Sequence, residues 1–129
     1  MDMPAVTTVA IAVRYRDIDA MGHVNNAVYA MDIETARATL FAEHLDVALT
    51  PAATVPTSLQ IDCYTSITRG DRVRVTCAVQ RVGRTSLPMT YTICADGNSC
   101  VTATTMQVVI EADRDAAAAL SEGWRERLF

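Results

Sequence analysis

The chain has 129 residues, half of them hydrophobic and a fifth charged, with a formal net charge of −4. That size suits one domain, residues 1–129, with a core of its own, and so apolar a composition excludes a disordered chain. All 11 basic residues are arginine and they are scattered, which argues against nucleic acid as a partner and excludes lysine Schiff-base chemistry. The first residues, Met1 to Ala5, carry an acid and a proline instead of a basic patch and an apolar run. Neither a signal peptide nor a membrane-inserting segment is read from the sequence, so the expected location is cytoplasmic.

In chain order, Val9, Ile11, Val13 and Tyr15 alternate with smaller or polar neighbours, which predicts a strand. A polar turn follows from Arg16 to Asn26. Ala27 to Leu45 contains no Pro or Gly and is too long for a strand, and Asn25 or Asn26 can cap it as a helix. Asp32, Thr35, Thr39 and Glu43 fall on one stripe of that helix. Val28, Tyr29, Ile33, Ala36, Leu40 and Phe41 fill much of the rest, so it should be largely buried.

After a loop bounded by Pro51 and Pro56, four strands are expected. Leu59, Ile61 and Cys63 mark the first, and Val73, Val75, Cys77 and Val79 the second. Leu87 to Ile93 and Cys100 to Ile110 complete the set. Arg69-Gly70-Asp71, Gly83-Arg84-Thr85 and Asp96-Gly97-Asn98 supply turns between them. Arg69-Gly70-Asp71 is also an adhesion-type tripeptide, but without a secretion signal a turn is the simpler reading. The tail from Asp113 to Phe129 reads as a helix with Leu120, Trp124 and Leu128 as its packing stripe. The architecture is therefore α+β: an antiparallel sheet around one long buried helix, with a short helix at the C-terminus. A sheet of this size leaves an edge open, which favours edge-to-edge association.

Cys63, Cys77, Cys94 and Cys100 form no C-x-x-C pair and have no histidine at zinc spacing. They are expected to be small core residues in a reducing compartment.

The chemistry concentrates between Arg14 and Tyr29. Asp17, Asp19, Gly22, His23, Asn25 and Asn26 lie between a strand and the start of a buried helix, where free N–H groups and the positive end of the dipole are found. A carboxylate beside such an end suits acyl transfer, which needs an activating anion and N–H donors for a developing oxyanion. Calcium does not fit, because a loop starting at Asp17 would place Met21 and Val28 at liganding positions. His23 and His44 alone are too few for zinc. Asp17 can pair with Arg14 or Arg16. Asp19 has the alternative role of capping its own loop. Glu34 lies about 12 Å along the helix from Asn26 at 1.5 Å per residue, too far to share a substrate carbonyl with the helix N-terminus, and Arg37 is its natural partner.

The pattern Asp17-x-Asp19-x-x-Gly22-His23-Val24-Asn25-Asn26-x-x-Tyr29, followed by Glu34-x-x-Arg37, resembles the 4-hydroxybenzoyl-CoA thioesterase family of hotdog-fold proteins. Gly70-Asp71-Arg72-Val73 and Gly83-Arg84-Thr85-Ser86-Leu87 add supporting similarity, and the resemblance runs from about Val9 to Ile110. It implies hydrolysis of acyl-CoA thioesters by a homodimer or homotetramer. No cofactor beyond the coenzyme A of the substrate and no metal are implied. Asp19 matches the family's catalytic aspartate, as nucleophile or as general base, and Asn26 matches the backbone N–H that polarises the carbonyl. Gly22 and Tyr29 fall among substrate-binding positions. Where family members carry a basic run near the coenzyme A phosphates, the matching turn here is Gly83-Arg84-Thr85, with Arg84 its only cation, and Arg84, Thr85 and Ser86 fall among substrate-binding positions.

His-Val-Asn-Asn also resembles acyl-carrier-protein thioesterases of plant type, in which the histidine is implicated in catalysis with an asparagine two residues earlier. That earlier position is Met21 here, so His23 is either catalytic or an orienting residue. A carrier-protein thioesterase and a non-catalytic acyl-CoA binding protein stand as alternatives. Hotdog enoyl-CoA hydratases space Asp and His by five, whereas this chain has six from Asp17 and four from Asp19.

Overall fold

A computed structural model of the chain describes residues 4–45, 54–111, 116–117 and 122–128. Among the described residues six strands and two α-helices follow in the order β1 (Val6–Ile11), α1 (Asn26–Leu45), β2 (Thr54–Cys63), β3 (Val73–Val79), β4 (Ser86–Ala95), β5 (Asn98–Glu111), β6 (Ala116–Ala117) and α2 (Glu122–Leu128). Five strands form one antiparallel sheet in the order β1-β3-β4-β5-β2, and the two residues of β6 pair with the end of β5. A sheet carrying one long helix is the architecture expected.

Tight turns set the register of the central strands. β4 and β5 are joined through Asp96 and Gly97, with φ of 51° and 85°, and Ala95 pairs with Asn98. Two central residues at positive φ make the hairpin turn whose twist matches that of the strands, which is why Asp-Gly occupies it. β3 lies antiparallel to β4, with Val75 opposite Ile93 and Cys77 opposite Tyr91.

The core sits between one face of this sheet and α1. Val75, Cys77, Leu87, Met89, Ile93 and Val101 of the sheet meet Ile33, Ala36, Leu40 and Phe41 of the helix in one buried cluster. Burying a large aliphatic side chain of this kind contributes about 1.5–3 kcal/mol. Leu128 of α2 is fully buried and closes one end. The helix packs chiefly on β1, β3 and α2, and this leaves the β2 side of the sheet thinly covered.

Several expectations from sequence need correction. The first strand ends at Ile11, not Tyr15; Tyr15–Asp17 is a turn of 3₁₀ helix and Tyr15 is 79% exposed. Asp17 causes the break by taking the Arg14 backbone N–H, which tightens the chain into a turn. β2 begins at Thr54, so Pro56 lies within a strand. Pro is tolerated there because β2 is an edge strand with a register shift between Pro56 and Ser58; Pro51 lies outside the described residues. Among the described residues the C-terminal helix covers Glu122–Leu128, and Ala116–Ala117 pairs as a strand where helix was expected. Leu120 lies outside the described residues. Cys77 and Cys100 are core residues, but Cys94 is half-buried and Cys63 is exposed.

Candidate active site

The loop from Arg14 to Asn25 is shaped by its own acids. Asp17 is buried, and its carboxylate accepts the Arg14 backbone N–H at 2.9 Å and the Arg14 guanidinium at 3.1 Å. The backbone bond, helped by the guanidinium, holds this carboxyl below the ordinary carboxylate range against the opposing effect of burial. Asp17 is thus the structural acid of the pair, with Arg14 and not Arg16 as its ion-pair partner.

Asp19 caps a second turn. Its Oδ1 accepts the backbone N–H groups of Met21 at 2.9 Å and His23 at 3.2 Å. Its own N–H donates to the His23 carbonyl at 2.8 Å, and the Gly22 N–H donates to the Asp19 carbonyl at 3.0 Å. Gly22 has φ of +81° with open space beside it; the turn requires left-handed backbone, which glycine adopts without strain. Among the described residues Oδ2 of Asp19 accepts no hydrogen bond, so one carboxylate oxygen fixes the side chain while the other stays available.

The loop then meets α1. The Val24 N–H donates to the Ile67 carbonyl at 2.7 Å, and the Asn25 N–H to the Asp17 carbonyl at 2.8 Å. Asn25, not Asn26, is the cap: its Oδ1 accepts the Ala27 N–H at 2.9 Å and its carbonyl the Val28 N–H at 2.9 Å. Among these first amides only that of Asn26 has no acceptor in the described residues. It is a free donor at the positive end of a 20-residue helix.

Asp19, His23, Asn26 and Tyr29 line one polar chamber of about 170 Å³, whose opposite wall is Cys63, Tyr64, Thr65 and Ser66. Four of the residues singled out in the sequence are therefore neighbours. The wall from Cys63 to Ser66 was not among them, because no motif marks a strand end that is brought in by sheet pairing. The Tyr64 and Thr65 N–H groups donate to the Cys100 carbonyl at 2.8 and 3.2 Å, and that fixes the wall. Burial raises the Tyr29 phenol above its usual value, which keeps it neutral and makes it a wall. Gly22 shapes the loop and is not part of the lining.

Arg84, Thr85 and Ser86 do not join this chamber. They connect β3 to β4 at the opposite end of the sheet, and β4 spans nine steps from Ser86 to the hairpin end near Cys100. At roughly 3.3 Å per residue that is about 30 Å. Within one chain these residues do not reach the Asp19 chamber.

A second chamber continues along the same side of the helix. It holds about 450 Å³ between Ala30, Met31, Ile33 and Glu34 of α1 and Pro56 and Leu59 of β2, with Arg37 and Thr105 beneath. Leu59, Ile61 and Cys63 pair with Thr105, Ala103 and Val101, so they share the inner face of the sheet. The two chambers thus lie end to end in one trench between α1 and β2. Glu34 pairs with Arg37 at 2.8 Å, as expected. Among the described residues no three His, Cys, Asp or Glu side chains stand together as a metal site. No described helix is long and apolar enough to cross a membrane.

Comparison with known proteins identifies the architecture. Residues 13–128 match the family model of the thioesterase-like superfamily. A thioesterase from Thermus thermophilus, solved with coenzyme A and Zn, is 34% identical over 99% of this chain and 94% of its own, with a TM-score of 0.89. A predicted thioesterase from Bacillus stearothermophilus is 24% identical over 96% of this chain and 94% of its own, with a TM-score of 0.88. A 1,4-dihydroxy-2-naphthoyl-CoA thioesterase from Synechocystis is 18% identical over 95% of each chain, with a TM-score of 0.85. The latter two likenesses establish shared fold alone. No curated protein matches the sequence. The chain belongs to the thioesterase-like superfamily and is a thioester hydrolase on the hotdog fold.

Proposed function

We propose that this member of the thioesterase-like superfamily hydrolyses acyl-CoA thioesters at the chamber formed by Asp19 and the start of α1. The observation that carries the reading is the pairing of two unused groups in one small polar chamber: a carboxylate oxygen of Asp19 and the backbone N–H of Asn26. The Asn26 N–H, aided by the helix dipole, donates to the thioester carbonyl oxygen, where negative charge grows as the carbonyl is attacked. Asp19 either attacks the carbonyl carbon, releasing thiolate and giving a mixed anhydride that water then hydrolyses, or takes a proton from a water that attacks the carbonyl directly. Both routes end in free acid and thiol, and both need the carboxylate held still, which the Met21 and His23 N–H bonds accomplish.

His23 acts as an orienting residue in this reading: its backbone closes the Asp19 turn at the edge of the chamber it borders. Tyr29 packs as the wall. The acyl chain follows the trench towards Arg37, while the coenzyme A arm leaves by the open side. The free edge of β2 suits pairing with a second copy, making a homodimer or larger homo-oligomer. Arg84, Thr85 and Ser86 meet the coenzyme A phosphates only if they come from a neighbouring copy or from the far end of an extended arm.

The test is thiol release from acyl-CoAs of graded length and from acyl-carrier protein bearing the same acyl groups. Release from coenzyme A thioesters with kcat/KM well above that for the carrier protein is expected. Turnover confined to the carrier protein would overturn the substrate assignment. Tight acyl-CoA binding without release would overturn hydrolysis itself.

A further inference from the structure

The far chamber of the trench has apolar walls but a polar end, and the groups at that end have hydrogen-bonding capacity to spare. Arg37 is only 4% exposed, yet of its five N–H groups the described residues take two: one to Tyr91 Oη at 3.3 Å and one to Glu34 Oε1 at 2.8 Å. Thr105 Oγ1 shares a hydrogen bond with Tyr91 Oη at 2.7 Å, and Thr105 also borders the chamber. At the next inward position of β5, the buried Gln107 donates to Thr54 but its Oε1 has no partner among the described residues. A purely structural network tends to satisfy its buried groups internally. This one holds donors in reserve beside a cavity that no described residue fills.

Charge decides what kind of group fits. Glu34 already balances the Arg37 guanidinium, so a carboxylate arriving at this end would meet Glu34 as a like charge. A neutral hydroxyl can accept from Arg37 and donate to Glu34 or Thr105 at once.

Geometry fixes how far that hydroxyl stands from the thioester. From Asn26 to Arg37 is about 16 Å along the helix at 1.5 Å per residue. The Arg37 side chain leans back one turn towards Glu34, which shortens the span to about 12 Å. The facing stretch of β2, Leu59 to Cys63, measures about 13 Å at 3.3 Å per residue. An extended chain advances roughly 1.2 Å per bond, so the span holds about ten bonds.

We infer that this site selects acyl groups bearing a hydroxyl about ten bonds from the thioester carbonyl carbon, read by Arg37, Thr105 and Glu34. The inference rests on the hydrolase reading above and adds its substrate class.

The experiment compares kcat/KM for 10-hydroxydecanoyl-CoA and decanoyl-CoA, and for 4-hydroxybutanoyl-CoA and butanoyl-CoA, on the same enzyme preparations. A preference of at least tenfold for the hydroxylated ten-carbon thioester is expected, in the range for a hydrogen bond to a charged group. The four-carbon pair, too short to reach, should show none. Thr105→Val should bring the ten-carbon ratio towards one; because it is a ratio, a loss of folded protein cancels. Glu34→Gln, at an exposed position, should raise the relative rate on sebacoyl-CoA several-fold by leaving Arg37 unbalanced. Hydrolysis of both ten-carbon thioesters at equal efficiency would overturn the inference and leave the hydrolase reading intact. Thiol release from none of the four and from no other acyl-CoA would overturn that reading and this inference with it.

Discussion

β2 and β3 carry the same alternation of apolar and polar residues, yet β3 buries Val73, Val75, Cys77 and Val79 while no residue of β2 is buried. The helix accounts for the difference. It lies over β1 and β3 and leaves β2 as one wall of an open trench. A period of two tells which residues share a face, but whether that face is covered depends on where α1 comes to rest. One side of the sheet is closed and holds the fold together. The other is open, and the unspent donors and acceptors of Asp19, Asn26 and Arg37 border it.

The contrast predicts that changes on the open side alter rates, while changes on the closed side alter stability. The largest effect is expected on the open side. Asp19→Asn should lower kcat by about 10³-fold or more, equivalent to about 4 kcal/mol of transition-state stabilisation. Its melting temperature should stay within a few degrees of wild type, because the amide oxygen still accepts the Met21 and His23 N–H bonds. Paired kinetic and thermal measurements check this.

On the closed side, Phe41→Ala should cost about 3–5 kcal/mol of stability, since a fully buried ring is removed from a packed core. Urea unfolding would measure the loss. Turnover per folded molecule should be unchanged, and a fall in kcat comparable to that of Asp19→Asn would break the contrast.

Asp32 lies at the boundary, in a crevice it shares with Asp17, Ile11, Val28 and Val73. Burial pushes its carboxyl up to about 6, with the Asp17 charge adding to the shift and Arg14 opposing it. An unfolded chain would have the ordinary value of 3.8, so the ionised form costs folding energy. That cost is absent below about pH 4 and grows until the pH has passed 6. Asp32→Asn should therefore stabilise the protein by about 1–2 kcal/mol at pH 8 and by almost nothing at pH 4. Denaturant melts of both proteins at the two pH values give the difference.

The smallest effect should come from Leu59→Ala. Leu59 is 47% exposed, so its removal should cost less than about 1 kcal/mol. It should nonetheless raise KM several-fold for acyl chains long enough to lie against it, while KM for butanoyl-CoA stays as it was.

Much of this layout can be read from the sequence, and what cannot has a physical cause. The spacing from Asp17 to Tyr29 placed Asp19, His23 and Asn26 at the mouth of α1, because a cap, a glycine turn and a helix start are all local features. Cys63 to Ser66 and Thr105 reach the trench only through strand pairing across more than 30 residues, which no local pattern records. The distance of Arg84, Thr85 and Ser86 from Asp19 is equally hidden from local pattern, since it depends on which end of β4 a turn occupies. Trp124 and Leu128 do pack against the core. The strand at Ala116–Ala117 was hidden by an alanine-rich stretch that favours helix in isolation, and pairing with β5 overrode that preference.

The most direct test of the account is an NMR titration of the ¹⁵N-labelled protein with decanoyl-CoA in which a methylene separates carbonyl from sulfur. This ketone keeps the carbonyl but cannot be hydrolysed. The account predicts that the Asn26 amide proton moves downfield more than those of Ala27 or Val28, because it alone is free to donate. If the analogue binds while the Asn26 amide stays still and amides away from the Asp19 chamber move instead, the thioester does not sit at the start of α1 and the account is wrong.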